Sequence, residues 1–238
     1  ARLRRSAGRI GLAVPWSAAW LLRELRRLLQ AGKFPEAYLR LVVTRGPGDV
    51  NICPSSCPSP TLVLFARPLP PYPTACYTQG VAIHLAKVRR NARTALDPNI
   101  KSGNYLNNIM ALREAPGPGI TEVVMCNPEG ELTEGTTTNI FVVKKGVLLT
   151  PPVTAGILEG VTRKIILSSA RRHRLPCREA PLYPRDLLAA DEVFLSSTTR
   201  GVMPVTGMPG KKLGKGRVGP ITSRLMLLYE AEIPRRLS

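Results

Sequence analysis

The sequence predicts an α+β protein in two parts. Three observations carry that reading. Apolar residues alternate over short runs such as AYLRLVVT and ADEVFLSS, the period of a half-buried strand. In other runs, such as WLLRELRRLLQ, they recur at the three- and four-residue spacing of an amphipathic helix. Between the two parts lies RPLPPYP, residues 67–73, whose four prolines fit neither a helix interior nor a central strand. The stretch reads as a stiff connector. The expected division is a smaller domain over 1–70, a linker over 71–76 and a larger domain over 77–238. A chain of 238 residues is long enough to bury a core in both arrangements, one domain or two.

The elements follow in order. The start, ARLRRSAGRIGLAVPWSAAWLL, imitates a signal peptide, but Pro15 interrupts it and the pattern continues as a helix without a cleavage site. No initiator Met is present, so further sequence is expected upstream. Ser17 is the expected N-cap of the helix, with Trp16 and Leu21 at hydrophobic-staple spacing. AYLRLVVT places Tyr38, Arg40, Val42 and Thr44 on one strand face, and TLVLFA is a second strand. Past the prolines, GVAIHLAKV is a strand and NNIMALREA a helix. TEVVMCNPEGELTEG is a hairpin turning at Asn127-Pro128-Glu129-Gly130. TNIFVVKKGVLLT is another, turning at Lys144-Lys145-Gly146. GVTRKIILSSARRH is a helix, ADEVFLSS a strand running into the polar turn STTRG, and GPITSRLMLLYEAEI the last helix. Hairpins outnumber regular βαβ units, and there are no internal repeats.

Composition excludes several classes. An apolar fraction of 44% is that of a globular chain, and no run of about 18 apolar residues offers a membrane span. The net charge of +18 is spread over RLRR, RELRR, KVRR, ARRHR, KKLGKGR and PRRL without interleaved aromatics. It reads as a solvated basic surface, not a nucleic-acid footprint. Five cysteines form no disulfide framework and indicate a reducing, cytoplasmic setting. CPSSC, with Cys53 and Cys57, lacks a second ligand pair, so no metal site is expected.

Polar clusters stand where strands stop: Lys101 with Tyr105, Glu134 in LTEGTTTNIF, and Ser197, Thr198 and Thr199 in FLSSTTRG. A fourth, LEGVTRK, opens a helix whose backbone N–H groups suit an anion. Each alone has a plain structural explanation as a turn, a strand end or a solvated lysine. Their order is KSGNYL, EGTTTNIF, TPP, GILEGVTR, ADEVFLSSTT and PV, with 134 − 101 = 33 residues from lysine to glutamate.

In that order they resemble the class IV aminotransferases. This is a pyridoxal-phosphate family that includes branched-chain aminotransferase, D-amino-acid aminotransferase and aminodeoxychorismate lyase. The resemblance covers nearly the whole chain. It implies the two-domain fold of type IV pyridoxal-phosphate enzymes: a small α/β domain, incomplete at its N-terminus, and a larger pseudo-barrel β domain with helices. Family members begin with about fifty further residues, a prior from ordinary domain length. The resemblance further implies pyridoxal 5'-phosphate as cofactor and Lys101 as the Schiff-base lysine and proton shuttle. Glu134 matches the partner of the ring nitrogen and Tyr105 the phenol at the ring hydroxyl. Leu158, Val161, Thr162, Ser197 and Thr198 match the cofactor cradle, and Arg2 matches a phosphate-binding arginine. Tyr38, Arg40, Thr198 and Thr199 match the substrate side. Asn139 is expected to support the glutamate loop. Arg200-Gly201 replaces a position that is often acidic. The implied reaction is transamination of a branched-chain amino acid with 2-oxoglutarate in a homodimer. The lyase and D-amino-acid reactions are alternatives within the fold. Outside the enzyme class stands a non-catalytic relative that binds anions or nucleic acid.

Overall fold

A computed structural model describes residues 2–235. The chain divides into two compact units, Ala1–Pro71 and Tyr72–Ser238.

The first unit contains α1 (Arg2–Arg9), α2 (Ala18–Gly32), β1 (Ala37–Thr44) and β2 (Thr61–Pro68). Ser17 caps α2 as expected, its Oγ accepting from the Trp20 amide at 3.1 Å. Trp16 stacks on Trp20, ring centroids 6.3 Å apart, and fixes the entry to the helix. β1 and β2 form an antiparallel ribbon, registered from Ala37 opposite Pro68 to Thr44 opposite Thr61. The ribbon enters the proline-rich stretch: Arg67 and Pro68 pair as strand residues. A two-stranded ribbon has only edge strands, so the missing proline N–H need not leave a ladder bond unmade. Val63 and Phe65 are exposed on the ribbon face that also carries Arg40 and Val42.

The second unit opens with α3 (Ala75–Thr78), which takes up the end of the expected linker, and β3 (Val81–Leu85). There follow α4 (Leu106–Leu112), β4 (Ile120–Cys126), β5 (Leu132–Gly135), β6 (Asn139–Lys144) and β7 (Val147–Thr150). Next come α5 (Val161–Arg172), β8 (Cys177–Glu179), α6 (Pro184–Leu188) and β9 (Glu192–Ser197). β10 (Gly201–Met208), β11 (Lys211–Lys212) and α7 (Pro220–Arg235) complete it. The two expected hairpins form, β4 with β5 and β6 with β7. Parallel pairs also occur, β3 with both β4 and β10, and β7 with β8.

Strand β9 pairs with β6 on one side and β10 on the other. The pairing therefore runs β10–β3–β4–β5–β6–β9 and returns to β10, a closed ring of six strands. Closure removes the free edges of those strands. Alternation along each strand then sorts side chains between two layers. Ile83, Val124, Leu132, Ile140, Val142, Leu195 and Met203 fill one core. Phe141, Val143, Phe194 and Val202 point the other way and meet Ile166, Ala170, Leu225 and Tyr229 from α5 and α7. Phe141 and Phe194 stack face to face at 4.7 Å across the β6–β9 pair. A third cluster, Val123 and Met125 with Ala111, seats α4.

Leu195 is wholly buried on the closing strand, so Leu195→Ala is expected to cost about 2–5 kcal/mol of stability in chemical denaturation. Leu227 on α7 is 69% exposed, and Leu227→Ala is expected to stay within about 0.5 kcal/mol of wild type.

Candidate active site

The ring of strands lines up five strands, β4, β5, β6, β9 and β10, at one level. Val124 faces Gly135, Glu134 faces Asn139, Asn139 faces Ser196 and Ser196 faces Val202. The β5–β6 turn, which follows Glu134 near the end of β5, and the β9–β10 turn, which follows Ser197 and bears Thr198 and Thr199, thus leave neighbouring strands at the same end.

Glu134 is buried. Arg90 Nη2 donates to its Oε1 at 2.8 Å, and the Leu158 amide donates to Oε2 at 2.9 Å. Asn139 Nδ2 reaches the same oxygen at 3.3 Å and donates to the Leu158 carbonyl at 2.9 Å, which confirms its supporting place. Burial pushes the Glu134 carboxyl up to about 7, against the opposing pull of Arg90, the Leu158 amide and Lys101. Lys101 belongs to the irregular segment before α4. Its Nζ lies 3.5 Å from the Tyr105 hydroxyl, one helical turn on in sequence. Tyr105 stands at the start of α4, its carbonyl accepting from the Ile109 amide. The Lys101 loop is tied to the segment before α5, where Asn99 Oδ1 accepts from the Glu159 amide at 3.1 Å.

α5 begins at Val161 with Gly160 as its N-cap, so no N-cap side chain satisfies the first-turn amides. Thr162 is buried there, 3.5 Å from the Tyr229 hydroxyl. Ser197 Oγ accepts from the Arg200 amide at 3.2 Å and closes the turn that displays Thr198 and Thr199. The remaining expected site residues belong to the first unit. Arg2 begins α1, and Tyr38 and Arg40 share one face of β1, with the Arg67 guanidinium 5.1 Å from the Tyr38 ring centroid.

The donor set fits a pyridoxal-type group: an amine and a phenol near a buried carboxylate, with open amides at a helix start for a phosphate. Among the described residues no cluster suits a metal ion. No helix there is long and apolar enough to cross a membrane.

The family described as Amino-transferase class IV matches residues 1–208. The chain belongs to the class IV aminotransferases. A Methanocaldococcus jannaschii protein, provisionally assigned as a branched-chain-amino-acid aminotransferase, is 36% identical over 224 residues, 94% of this chain and 77% of that relative. The D-alanine aminotransferase of Bacillus licheniformis is 33% identical over 233 residues, 98% of this chain and 80% of the relative. The crystal structure of Escherichia coli branched-chain amino acid aminotransferase superposes with a TM-score of 0.89 at 31% identity, covering 94% of this chain and 74% of that one.

Three site residues of this class IV aminotransferase escape the sequence. Arg90, in KVRRN, reads there as one more surface cation, yet its side chain is 12% exposed and bound to Glu134 and to Asn108 Oδ1. Asn108 also donates to the Thr136 carbonyl. Glu122 is a lone acid in an apolar strand, and that mismatch was the available signal. It accepts from the hydroxyls of Thr136, Thr137 and Thr138, from the Thr136 and Thr137 amides, and from Arg200. A Cβ on Gly135 would lie 2.8 Å from Glu122 Cγ, so only glycine lets this carboxylate reach under the turn.

The raised Glu134 value gives a sign. The folded protein without cofactor holds a proton there that the unfolded chain releases near 4.5, so stability is highest below that value and falls as pH rises towards about 7. The full fall is about 3 kcal/mol. Glu134→Gln is expected to flatten this part of the stability curve, measured by thermal or urea unfolding between pH 5 and 8.

Proposed function

We propose that this chain transfers the amino group of a branched-chain amino acid to 2-oxoglutarate, using pyridoxal 5'-phosphate held by Lys101. The observation that carries the reading is the pair of Lys101 beside the Tyr105 phenol and a buried Glu134 held by Arg90, Leu158 and Asn139, in a member of this family. The cofactor, when bound, withdraws electrons from the substrate Cα. Lys101 Nζ holds the cofactor covalently, and as a free amine takes the proton from that carbon. Glu134 keeps a proton at the ring nitrogen by charge pairing where water is excluded. Arg90 restrains the rise in the Glu134 pKa, so the carboxylate is available for that pairing. Tyr105 orients the ring through its hydroxyl. Val161 and Thr162, with the Thr198 hydroxyl, hold the phosphate, and Ser197 shapes the turn. Leu158 serves by its amide, which fixes Glu134. Arg2 adds a guanidinium to the phosphate, while Tyr38, Arg40, Thr198 and Thr199 receive the substrate.

The branched-chain assignment rests on the names of the Methanocaldococcus and Escherichia relatives. The Bacillus relative favours a second reading, D-amino-acid transamination. The proposal includes a cytoplasmic homodimer.

Borohydride reduction of the protein with added pyridoxal phosphate, followed by peptide mapping, is expected to label Lys101, and Lys101→Ala to abolish that label. Label on another lysine refutes the assignment. Glu134→Gln is expected to retain cofactor while turnover drops at least about a hundredfold. A panel of L-leucine, L-isoleucine, L-valine and D-alanine with 2-oxoglutarate decides the donor.

A further inference from the structure

Arg200-Gly201, at the turn between β9 and β10, stands where the resemblance often has an acidic residue, and the structure accounts for both positions. Gly201 has a φ of 60°, and a Cβ there would lie 3.2 Å from the Tyr229 ring, so a larger side chain is strained. Arg200 turns inward and is 14% exposed. Its Nη1 donates to Glu122 Oε2 at 2.8 Å and its Nε to the Tyr72 hydroxyl at 3.1 Å. Its amide donates to Ser197 Oγ, and its carbonyl accepts from the Tyr77 hydroxyl at 3.1 Å. Side chain and backbone are both fixed.

The partner, Glu122, is the carboxylate that gathers Thr136, Thr137 and Thr138 just after Glu134. One buried group therefore holds two turns, the β5–β6 turn through hydroxyls and amides and the β9–β10 turn through Arg200. The two buried carboxyls are shifted in opposite directions, Glu134 up and Glu122 down. Burial raises the Glu122 pKa, but the Thr136 hydroxyl and the Arg200 charge outweigh that and hold it below the ordinary range.

We infer that Arg200 is a positioning residue for substrate binding: through Glu122 it sets the β9–β10 turn, with Thr198 and Thr199, at a fixed spacing from the turn that follows Glu134. The roles of Thr198, Thr199 and Glu134 rest on the proposed function; the tie between the two turns does not. Amides that receive a carboxylate must be held to within a few tenths of an ångström before it arrives. Arginine suits the task because its planar fork serves Glu122 and Tyr72 together, whereas lysine brings one point charge. Glu134 keeps Arg90, Leu158 and Asn139 when Arg200 is removed, so the loss should fall on substrate affinity and not on the chemical step.

The test uses the full chain with Arg200→Gln and Arg200→Lys. Amide hydrogen exchange without added cofactor is expected to quicken in both 134–139 and 197–202 for Arg200→Gln, with Arg200→Lys between it and wild type. KM for amino donor and 2-oxo acid alike is expected to rise about tenfold in Arg200→Gln, the effect of one lost charge-assisted bond. The kcat should stay within about threefold. Faster exchange confined to 197–202, an unchanged KM, or a fall in kcat at constant KM overturns the inference. Should Arg200→Gln fail to fold, Arg200→Lys carries the same comparisons. If wild type does not transaminate yet the two segments loosen together, the proposed function falls and the tie stands. If wild type transaminates and Arg200→Gln matches it in KM and exchange, the inference alone falls.

Discussion

The pairing of β9 between β6 and β10 is the constraint on which the larger unit depends. Without it the strands would form an open sheet with edges at β10 and β6, and the two site turns would lie on separate stretches of backbone. With it, residues as far apart in sequence as Asn139 and Ser196 become direct neighbours. The strand is suited to this place because both its faces are apolar. Val193 and Leu195 enter one core and Phe194 the other. A strand buried on both faces and paired on both edges has little freedom to slip, since a one-residue shift would exchange the two cores.

Two buried carboxylates on adjacent strands have been given opposite tasks. Glu122 is surrounded by hydroxyls and amides, each a donor suited to its ionised form. Glu134 has fewer donors, and Arg90 does not fully offset its burial. The difference is set by how far the donors around each carboxyl offset its burial. A well-solvated carboxyl would not discriminate, because water would supply donors to both. Ionised groups buried in this way are expensive unless paired, so each arginine is as much a structural requirement as a chemical one.

Much of this was legible in the sequence. The alternation of TNIFVVKKGVLLT located a hairpin, and Ser17 located the start of α2. The ordered motifs around Lys101, Tyr105 and Glu134 carried the resemblance to the class IV aminotransferases, the family to which the chain belongs. What the sequence hid has physical reasons. β10 contains Pro204 and was not recognised as a strand, although it pairs with both β9 and β3. Its register to β3 shifts between Val205 and Gly207, an irregularity that interrupts the regular ladder. Arg90 was lost among 34 basic residues, and the partner of Arg200 was not foreseen, because a cation's partner is set by tertiary contacts and not by its neighbours in sequence.

The segment that carries Lys101 contains neither helix nor strand over residues 86–105. It is fastened by asparagines. Asn99 accepts from Glu159, Asn107 bridges the Arg89 carbonyl and the Asn91 amide, and Asn108 joins Arg90 to Thr136. Neutral amides do not titrate, so these fastenings hold across the whole range in which Glu134 changes charge. Hydrolysis of the Asn108 amide would set a second carboxylate against Arg90, in competition with Glu134, and would remove the donor to Thr136. The loop that presents the lysine would then loosen through the loss of a single nitrogen atom.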